Sequence, residues 1–274
     1  MESVLVPPNV NQLFDIGEIL EFSQTSGREF LITTTVQKFA LRKLKFASQM
    51  KRMFYDIAFT DYLSKQGFPA RKFIKTRDGS IVIDIDGEKY FMIEYFIGVS
   101  KPSGRDKLNN LQLAEAANML AQLHILASRY QGPKFQHIPF QSRRNYQTLR
   151  DVFSAIDRKS ALSDFDKLTL QVIKTKLEFI AKHPFEKQNF LYENRMMNHG
   201  DYHAGNMVFG PDNKILAVLD FEFCTDMPRI WDIAWALTWL CRERCTEAFS
   251  GMANLERMAL FMRQYNQAYS LSLS

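Results

Sequence analysis

The chain has 274 residues, of which 46% are hydrophobic and 24% charged, a balance typical of a globular protein with one large domain or two small lobes. Its net charge of +5 is small and spread along the chain, whereas nucleic-acid-binding domains concentrate basic residues on one face. Neither an apolar run long enough to span a membrane nor an export signal is visible. We therefore expect neither a nucleic-acid nor a membrane partner.

The cysteines also argue against an exported protein. Three cysteines cannot form a disulfide framework, so we expect reduced thiols and a cytoplasmic location. Cys241 and Cys245 lie four residues apart, a spacing that would suit a metal on a helix. No further Cys/His pair at ligand spacing lies nearby, so the sequence favours structural thiols.

The first part of the chain predicts strands and one helix. The stretch 30–44 is rich in β-branched and apolar residues and indicates two strands, whose basic side chains either face solvent or face a phosphate. A helix is predicted from about Ser48 to Lys65, before Gly67 and Pro69. Two more strands follow, joined at Asp86-Gly87 as a hairpin. A Pro- and Gly-containing loop then suggests a boundary between lobes 1–95 and 96–274.

From about residue 106 the pattern is mainly helical. Residues 111–127 form an apolar helix face that carries His124, interpreted as a packed histidine, and a loop is predicted over 132–145. Helices are predicted over 146–182, then a strand at 214–221 and two helices from about Arg229. The chain stops soon after a helical pattern, and we expect further C-terminal helices beyond it. These elements predict an α+β protein.

The stretch NHGDYHAGNMVF, residues 198–209, gathers polar side chains around two glycines. His199 and His203 are four apart, which on a helix would suit zinc. However, Gly200 and Gly205 disfavour a helix, and zinc hydrolases with this spacing carry Glu directly after the first His, where Gly200 stands. The stretch therefore favours a loop rather than a zinc helix.

A second interpretation is phosphoryl transfer. This chemistry requires a carboxylate that orients a hydroxyl and oxygen ligands that hold Mg²⁺. Asp201 and Asn206 supply one of each within the same loop. The apolar strand in ILAVLDFEF then delivers Asp220 at its end, where a second metal carboxylate is expected.

These motifs resemble the signature of the aminoglycoside phosphotransferase / choline kinase-like family. His199, Gly200, Asp201, His203 and Asn206 fill every fixed position of its H-G-D-x-H-x-x-N pattern, and the sequence D-F-E at 220–222 matches its metal motif. In TDMPRIWDIAWAL, Asp232 matches the aspartate that braces the catalytic loop. The resemblance implies a bilobal protein-kinase-like α+β fold, with a small antiparallel-sheet N-lobe and a larger, mainly helical C-lobe.

The resemblance also implies roles in the C-lobe. Asp201 would be the catalytic base or the group that orients the acceptor hydroxyl, while Asn206 and Asp220 would hold Mg²⁺ on the phosphates of ATP. His199 and His203 would support the loop through hydrogen bonds, with direct chemistry as the alternative. Glu222 would lie near the metal or form a polar wall of the acceptor pocket.

In the N-lobe, family kinases grip phosphates with a lysine on a strand that resembles V-A-I-K. Here FALR occupies that register, so Ala40 aligns with the alanine and Arg42 replaces the lysine. Arginine is a permanent cation that can hold phosphates through two hydrogen bonds. The acidic helix partner would be Asp56 or Asp61, with Asp56 favoured.

Two further nucleotide-binding segments follow from the resemblance. The turn around Gly27 would cover the phosphates with backbone amides, although a plain hairpin turn explains it equally well because it is not Gly-rich. The segment Glu94, Tyr95 and Phe96 resembles the hinge that binds adenine through its backbone. Both assignments depend on the family and not on spacing alone.

The acceptor pocket is expected beside Asp201. Its candidate side chains are Tyr202, Glu222, Asp226, Arg229, Trp231 and Trp235. Tryptophans at 231, 235 and 239 recur at helical spacing and would ordinarily form core. Acidic Glu222 and Asp226 favour a cationic acceptor, such as an amino alcohol or amino sugar.

The sequence thus predicts an ATP- and Mg²⁺-dependent small-molecule kinase, closer to the homoserine-kinase-like and spore-coat-kinase-like branches than to resistance enzymes. An antibiotic phosphotransferase is the alternative within the same class. A catalytically inactive, nucleotide- or partner-binding pseudokinase is the alternative from another class, suggested by Arg42 and the turn that is not Gly-rich. Intact Asp201, Asn206 and Asp220 favour catalysis. The oligomeric state is not predicted.

Overall fold

The N-terminal part of the chain is an antiparallel sheet with one long helix. The computed structural model describes residues 10–26, 28–44, 47–96, 102, 106–135, 142–182, 195–243 and 253–270. The sheet has the order β1-β2-β3-β6-β4, with β5 also paired to β6. Its strands are β1 (Ile19–Ser26), β2 (Glu29–Thr34), β3 (Lys38–Lys43), β4 (Phe73–Ile74), β5 (Val82–Ile85) and β6 (Glu88–Glu94). The helices of this part are α1 (Val10–Leu13) and α2 (Ala47–Lys65).

Alternation along β3 separates a core face from an opposite face. Phe39 and Leu41 pack into an apolar cluster with Ile32 and Met92 on one side of the sheet. Because successive side chains of a strand point to opposite faces, Arg42 lies on the other side, towards α2. The predicted hairpin is also present, since β5 and β6 pair antiparallel across a turn whose residues have positive φ.

The C-terminal part is mainly helical, with two short two-stranded sheets. Its helices are α3 (Asn110–Ser128), α4 (Ser142–Asp157), α5 (Asp164–Lys182), α6 (Ile230–Leu240) and α7 (Leu255–Ala268). Its strands are β7 (Arg195–Asn198), β8 (Met207–Phe209), β9 (Ile215–Val218) and β10 (Thr225–Pro228). Strand β7 pairs with β10, and β8 pairs with β9. Helix α4 thus begins inside the loop predicted over 132–145, and the helices predicted over 146–182 are present.

Helix α3 lies at the centre of the main apolar core. Asn109 caps it, accepting from the backbone of Gln112, whose side chain in turn accepts from the backbone of Asn109. The helix packs against α7, and His124 is fully buried between them, 2.7 Å from the Tyr265 hydroxyl. His124 is therefore a packed core histidine, as expected.

A sheet followed by helices confirms the predicted α+β class, while the lobe boundary near residue 95 stays a prediction. Cys224 and Cys241 are buried free thiols, and Cys245 lies outside the described residues. No helix within the described ranges combines the length and apolarity needed to cross a membrane.

Candidate active site

The active-site loop, residues 199–206, connects β7 to β8 and is fixed through its backbone by helix α6. The carboxylate of Asp232, fully buried on α6, accepts from the backbone N–H of His199 at 2.6 Å and of Gly200 at 2.9 Å. Charge-assisted bonds of this kind are stronger than neutral ones. Asp232 therefore braces the loop, as the resemblance implied.

Gly200 allows the loop to approach the segment that follows Asp220. Its φ is +82°, and a Cβ atom there would lie 2.1 Å from the carbonyl oxygen of Phe223. Only glycine fits such a contact without moving the backbone. The glycine therefore brings residues 199–201 against residues 220–223.

His199 joins the same two segments from inside the protein. Its Nδ1 accepts from the Asp201 N–H at 3.2 Å, so its Nε2 carries the proton and donates to the Leu219 carbonyl at 2.9 Å. Complete burial lowers the pKa of His199, despite the opposing charge of Asp232. The neutral ring of His199 therefore supports the loop through both of its nitrogens. Because both nitrogens are buried and hydrogen-bonded, neither is accessible for direct chemistry on a substrate.

Asp201 presents a partly exposed carboxylate whose two oxygens each meet a donor. Trp235 Nε1 donates to Oδ1 at 3.2 Å, and His203 Nε2 lies 3.3 Å from Oδ2. Partial burial disfavours the charged form, but the hydrogen bonds from His203 and Trp235 favour it, so the pKa of Asp201 lies below its usual value. Asp201 is thus an ionised acceptor at neutral pH.

Asn206 presents an amide whose nitrogen is already engaged. Its Nδ2 donates to the Asp201 carbonyl at 2.9 Å, which directs the amide oxygen away from the loop. That oxygen is a donor atom suited to Mg²⁺. Within the described ranges, no three His, Cys, Asp or Glu side chains converge as a metal cluster. Mg²⁺ needs fewer protein ligands because it keeps waters and substrate phosphates.

Asp220 follows β9 in a left-handed conformation, with φ 64° and ψ 60°. Such a conformation costs a non-glycine residue roughly 1 kcal/mol and is common at functional sites. The preceding residue, Leu219, donates its N–H to the Asn206 carbonyl at 2.8 Å and accepts from His199. Asp220 is therefore held next to the active-site loop, with a carboxylate that also suits Mg²⁺.

A cavity of about 390 Å³ lies between α2, the sheet and residues 220–223. Its polar lining includes Arg42, Arg52, Asp56, Thr60, Arg71, Asp220 and Glu222. Asp201, Asn206 and the predicted hinge are not part of this lining. Because the cavity is lined by Arg42 and Asp220, which the resemblance assigns to the phosphates and to Mg²⁺, we call it the phosphate-side cavity.

Arg42 faces this cavity as predicted, but its ion-pair partner differs from the expected one. Its guanidinium pairs with Glu29, directly opposite on β2. Asp56 lines the same cavity and accepts from the Cys224 thiol at 3.1 Å, while Asp61 pairs with Lys75 near the surface. Glu29 and Arg42 are direct cross-strand neighbours in the register of β2 and β3, which accounts for their pairing.

Asp56 is a carboxyl group held in a largely apolar position. It is 3% exposed, and burial raises its pKa to about 7 even though the Cys224 bond and the nearby Arg52 charge oppose the shift. The charges of Glu222 and Asp220 raise it further. Asp56 is therefore not the ion-pair partner of Arg42 that the resemblance implied, and its nucleotide-binding role stays a prediction.

The predicted hinge is tied to its neighbours. Glu94 exchanges backbone and side-chain bonds with Lys72, and Tyr95 N–H donates to the Lys38 carbonyl at 3.0 Å. Phe96 packs against a small apolar cluster of the β8–β9 hairpin. Ala40 is buried on β3. Gly27 lies outside the described residues, and the hinge role stays a prediction.

Three predicted acceptor residues are structural. Tyr202 is fully buried and donates from its hydroxyl to the Ala116 carbonyl at 2.8 Å, which anchors the active-site loop on α3. Asp226 is buried and lies 3.6 Å from Arg195 Nε. Arg229 is buried, and one of its nitrogens donates to the Ser270 carbonyl at 3.0 Å. All three were predicted as candidates for the pocket beside Asp201, but the structure buries their side chains.

Glu222 and the tryptophans keep positions suited to substrate. Glu222 lines the cavity, and Trp231 is 38% exposed. Trp235 contacts Asp201, and its ring centroid lies 5.8 Å from that of Trp239. The tryptophan stripe is therefore not simply core, since its middle member reaches the candidate base.

Sequence reasoning missed Glu29, Arg52 and Arg71. Glu29 had a visible signal, because opposite charges face each other when β2 and β3 are paired as a hairpin. Burial and the charge of Arg42 lower the pKa of Arg71 to about 10, so it remains a cation at neutral pH. No local pattern distinguishes Arg71 or Arg52 from a surface arginine.

Comparisons with known proteins identify relatives of this chain. A model of the phosphotransferase enzyme family matches residues 18–269. A homoserine kinase from Caulobacter sp. (strain K31) is 25% identical over 234 residues, which are 84% of this chain and 68% of that protein.

Solved structures share the fold. An aminoglycoside phosphotransferase from Alicyclobacillus acidocaldarius subsp. acidocaldarius superposes with a TM-score of 0.66 at 16% identity, covering 98% of this chain and 80% of its own. An amicoumacin kinase bound to AMP-PNP, Ca²⁺ and its antibiotic has a TM-score of 0.62 at 15% identity, covering 96% of this chain and 77% of its own. These likenesses confirm the predicted protein-kinase-like fold.

Proposed function

Because the chain belongs to the phosphotransferase enzyme family, we propose that it transfers the terminal phosphate of ATP, with Mg²⁺, to a hydroxyl group of a small molecule. One observation carries the proposal. Leu219 bonds through its carbonyl to His199 and through its N–H to Asn206, so the segment that bears Asp220 is fixed against the loop that bears Asp201. A candidate base and two candidate metal ligands thus belong to one rigid unit.

In this proposal Asp201 handles the acceptor. Its ionised carboxylate orients the hydroxyl and receives the proton as the acceptor oxygen bonds to the γ-phosphorus. The bond between that phosphorus and the β–γ bridging oxygen breaks, and ADP leaves. His203 and Trp235 hold the two carboxylate oxygens during this step.

Asn206 and Asp220 present oxygen atoms that fit Mg²⁺, which would neutralise phosphate charge when bound. Arg42 and Arg71 face the phosphate side of the site and would contribute cationic groups to the triphosphate. Arg42 is oriented by its ion pair with Glu29. Glu29 thus holds the guanidinium of Arg42 at the cavity, which favours nucleotide binding with arginine in place of the usual lysine.

The proposed acceptor class rests on Glu222, which lines the phosphate-side cavity, and on the relatives of the chain. Asp226 is engaged with Arg195, so only Glu222 remains of the two acids that suggested a cationic acceptor. The relative named homoserine kinase suggests a hydroxy amino acid. We propose a small amino-group-bearing alcohol, with homoserine, amino alcohols and amino sugars as candidates.

The first experiment is a thermal shift with ATP, with and without Mg²⁺, followed by ADP release in the presence of homoserine, amino alcohols, amino sugars and aminoglycosides. Mg²⁺-dependent stabilisation with ADP release for one acceptor supports the kinase and names its substrate. Release with aminoglycosides alone would favour an antibiotic phosphotransferase. Stabilisation without turnover by any acceptor would favour the pseudokinase, and no stabilisation by any nucleotide would contradict the proposal.

A further inference from the structure

Trp235 contacts the candidate base from a helix outside the active-site loop. It lies on α6, and its indole Nε1–H donates to Oδ1 of Asp201 at 3.2 Å. Asp232, one turn earlier on the same helix, accepts from the backbone of the loop. One helix therefore fixes both the backbone and the carboxylate of this site.

His203 holds the other carboxylate oxygen. Its Nδ1 accepts from the Gly205 N–H at 3.0 Å, so its Nε2 carries the proton and is the atom that lies 3.3 Å from Oδ2 of Asp201. The terminal torsion of aspartate is broad and costs little to rotate. Asn206 Nδ2 also lies 3.4 Å from Oδ2, so this oxygen meets two donors from within the loop. Trp235 meets the other oxygen, Oδ1, from a separate helix, and the donors on both oxygens together set the plane of the carboxylate.

An indole is well suited to this role. It is a donor only, so it cannot take the proton that Asp201 receives. Its ring is rigid, and Trp239 restrains it at 5.8 Å between centroids, while Trp239 itself lies 6.1 Å from the His203 ring. The helical spacing of these tryptophans thus serves the site and explains why Trp235 is only partly buried.

We infer that Trp235 is a positioning residue for phosphoryl transfer, which orients the Asp201 carboxylate through its indole N–H. The inference rests on the proposed function of Asp201. It differs from a role as a wall of the acceptor pocket, because the indole acts on the base and not on the substrate. Loss of the N–H should therefore lower kcat and leave the KM for ATP unchanged.

The test is Trp235→Phe, measured alone and in an Asp201→Ala background. We expect kcat to fall about tenfold, the scale of one hydrogen bond to a charged group. In the Asp201→Ala background, the same substitution should leave the residual rate unchanged. Tyr62→Phe is the matched control, since it also removes one hydrogen bond, from the Tyr62 hydroxyl to the Leu126 carbonyl, which involves no residue of the active-site loop.

A second variant guards against misfolding. Replacement of Trp235 by benzothienylalanine keeps the size of the ring system and removes only the N–H, so it should reproduce the loss in kcat. Equal losses in kcat with and without Asp201, or a loss confined to acceptor KM, would overturn the inference. Unchanged kcat in both variants would do the same.

The contact can also be tested without any substrate. Trp235→Phe and Asp201→Ala should be non-additive in thermal stability, because each removes the same hydrogen bond. Additive shifts would overturn the inference even if no acceptor had been found. Non-additive shifts in a protein without kinase activity would instead contradict the proposed function and leave the contact supported.

Discussion

The active-site loop and the phosphate-side cavity fix their polar groups in different ways. In the loop, Asp201, His203 and Asn206 bond to one another within a few residues, and Asp232 holds the backbone. The cavity instead draws its charges from separate elements. They come from β3, α2, the segment before β4 and the segment after β9, as Arg42, Arg52, Asp56, Arg71, Asp220 and Glu222, while Glu29 on β2 pairs with Arg42.

The difference shows that the polar groups of the loop are already hydrogen-bonded to one another, whereas the cavity holds buried charged groups whose pKa values are shifted. Loop donors and acceptors are paired, so the geometry of the base exists before any substrate binds. In the cavity, burial and the charge of Arg42 lower the pKa of Arg71, while burial raises that of Asp56. An anion bound between Arg42 and Arg71 would reduce the repulsion between them. The triphosphate group of a nucleotide is such an anion.

The largest expected effect breaks the loop. Asp201→Asn should lower turnover about 10²–10⁴-fold, the scale of a positioned acid or base, because an amide cannot receive the acceptor proton. ATP affinity should persist, since the cavity is unchanged. ADP release and nucleotide thermal shift measure the two effects. Asp157→Asn, exposed on α4, is the control, and unchanged turnover in Asp201→Asn would remove Asp201 from the mechanism.

The next effect tests the junction between the two regions. Asp220→Asn keeps a residue that tolerates the left-handed backbone but removes the charge proposed to hold Mg²⁺. Mg²⁺-dependent affinity for ATP should fall about 100-fold or more, since even outer metal partners are worth 10–100-fold. Titration calorimetry with Mg²⁺ and with EDTA measures it. Asp212→Asn in the neighbouring turn should bind normally, and equal binding by both variants would disprove the metal role.

A smaller effect is expected in the cavity alone. Arg71→Gln removes a cation from the cavity lining and leaves the active-site loop intact. The KM for ATP should therefore rise about tenfold, the scale of one charge-assisted hydrogen bond, while kcat stays nearly constant. Steady-state kinetics at varied ATP measures this. Arg77→Gln, at an exposed ion pair with Asp15, is the control. A fall in kcat without a change in KM would place Arg71 in the loop's function instead.

The smallest effect is a pH dependence of stability. The pKa of Asp56 is raised from 3.8 to about 7, so the folded protein binds the proton more tightly than the unfolded chain. The stability that Asp56 contributes through this tighter proton binding is fully present below about pH 4 and is lost as pH rises to about 7. Asp56→Asn, which stays neutral, should therefore gain a few degrees in Tm over the wild type as pH rises from 5 to 8.

Differential scanning fluorimetry at several pH values measures that trend. Asp61→Asn lies on the same helix, where Asp61 pairs with Lys75 near the surface, and serves as the control. A constant difference in Tm between Asp56→Asn and the wild type would contradict the raised pKa. It would also argue against the conclusion that burial in the cavity shifts the pKa values of its charged groups.

Much of the fold and the family followed from the sequence. The α+β class, helix α2, the β5–β6 hairpin and helix α6 are periodic or turn-directed features, which local patterns specify. The motif spanning residues 199–206 and D-F-E at 220–222 indicated the phosphotransferase family, and the family match confirms it. The bracing role of Asp232 was also predicted and is present.

What the sequence alone determined is the loop, because its chemistry is contained in contiguous residues with fixed spacing. Only the tertiary structure decided the partners that come from elsewhere in the chain. In the structure, Arg42 forms its ion pair with Glu29 rather than Asp56, Tyr202 is buried in the core, and Trp235 donates a hydrogen bond to Asp201. Such pairings depend on strand register and helix orientation, which relate residues 13 to 86 positions apart. Of these three, the Arg42–Glu29 pair alone had a signal in the sequence, and only once β2 and β3 are paired in the correct register.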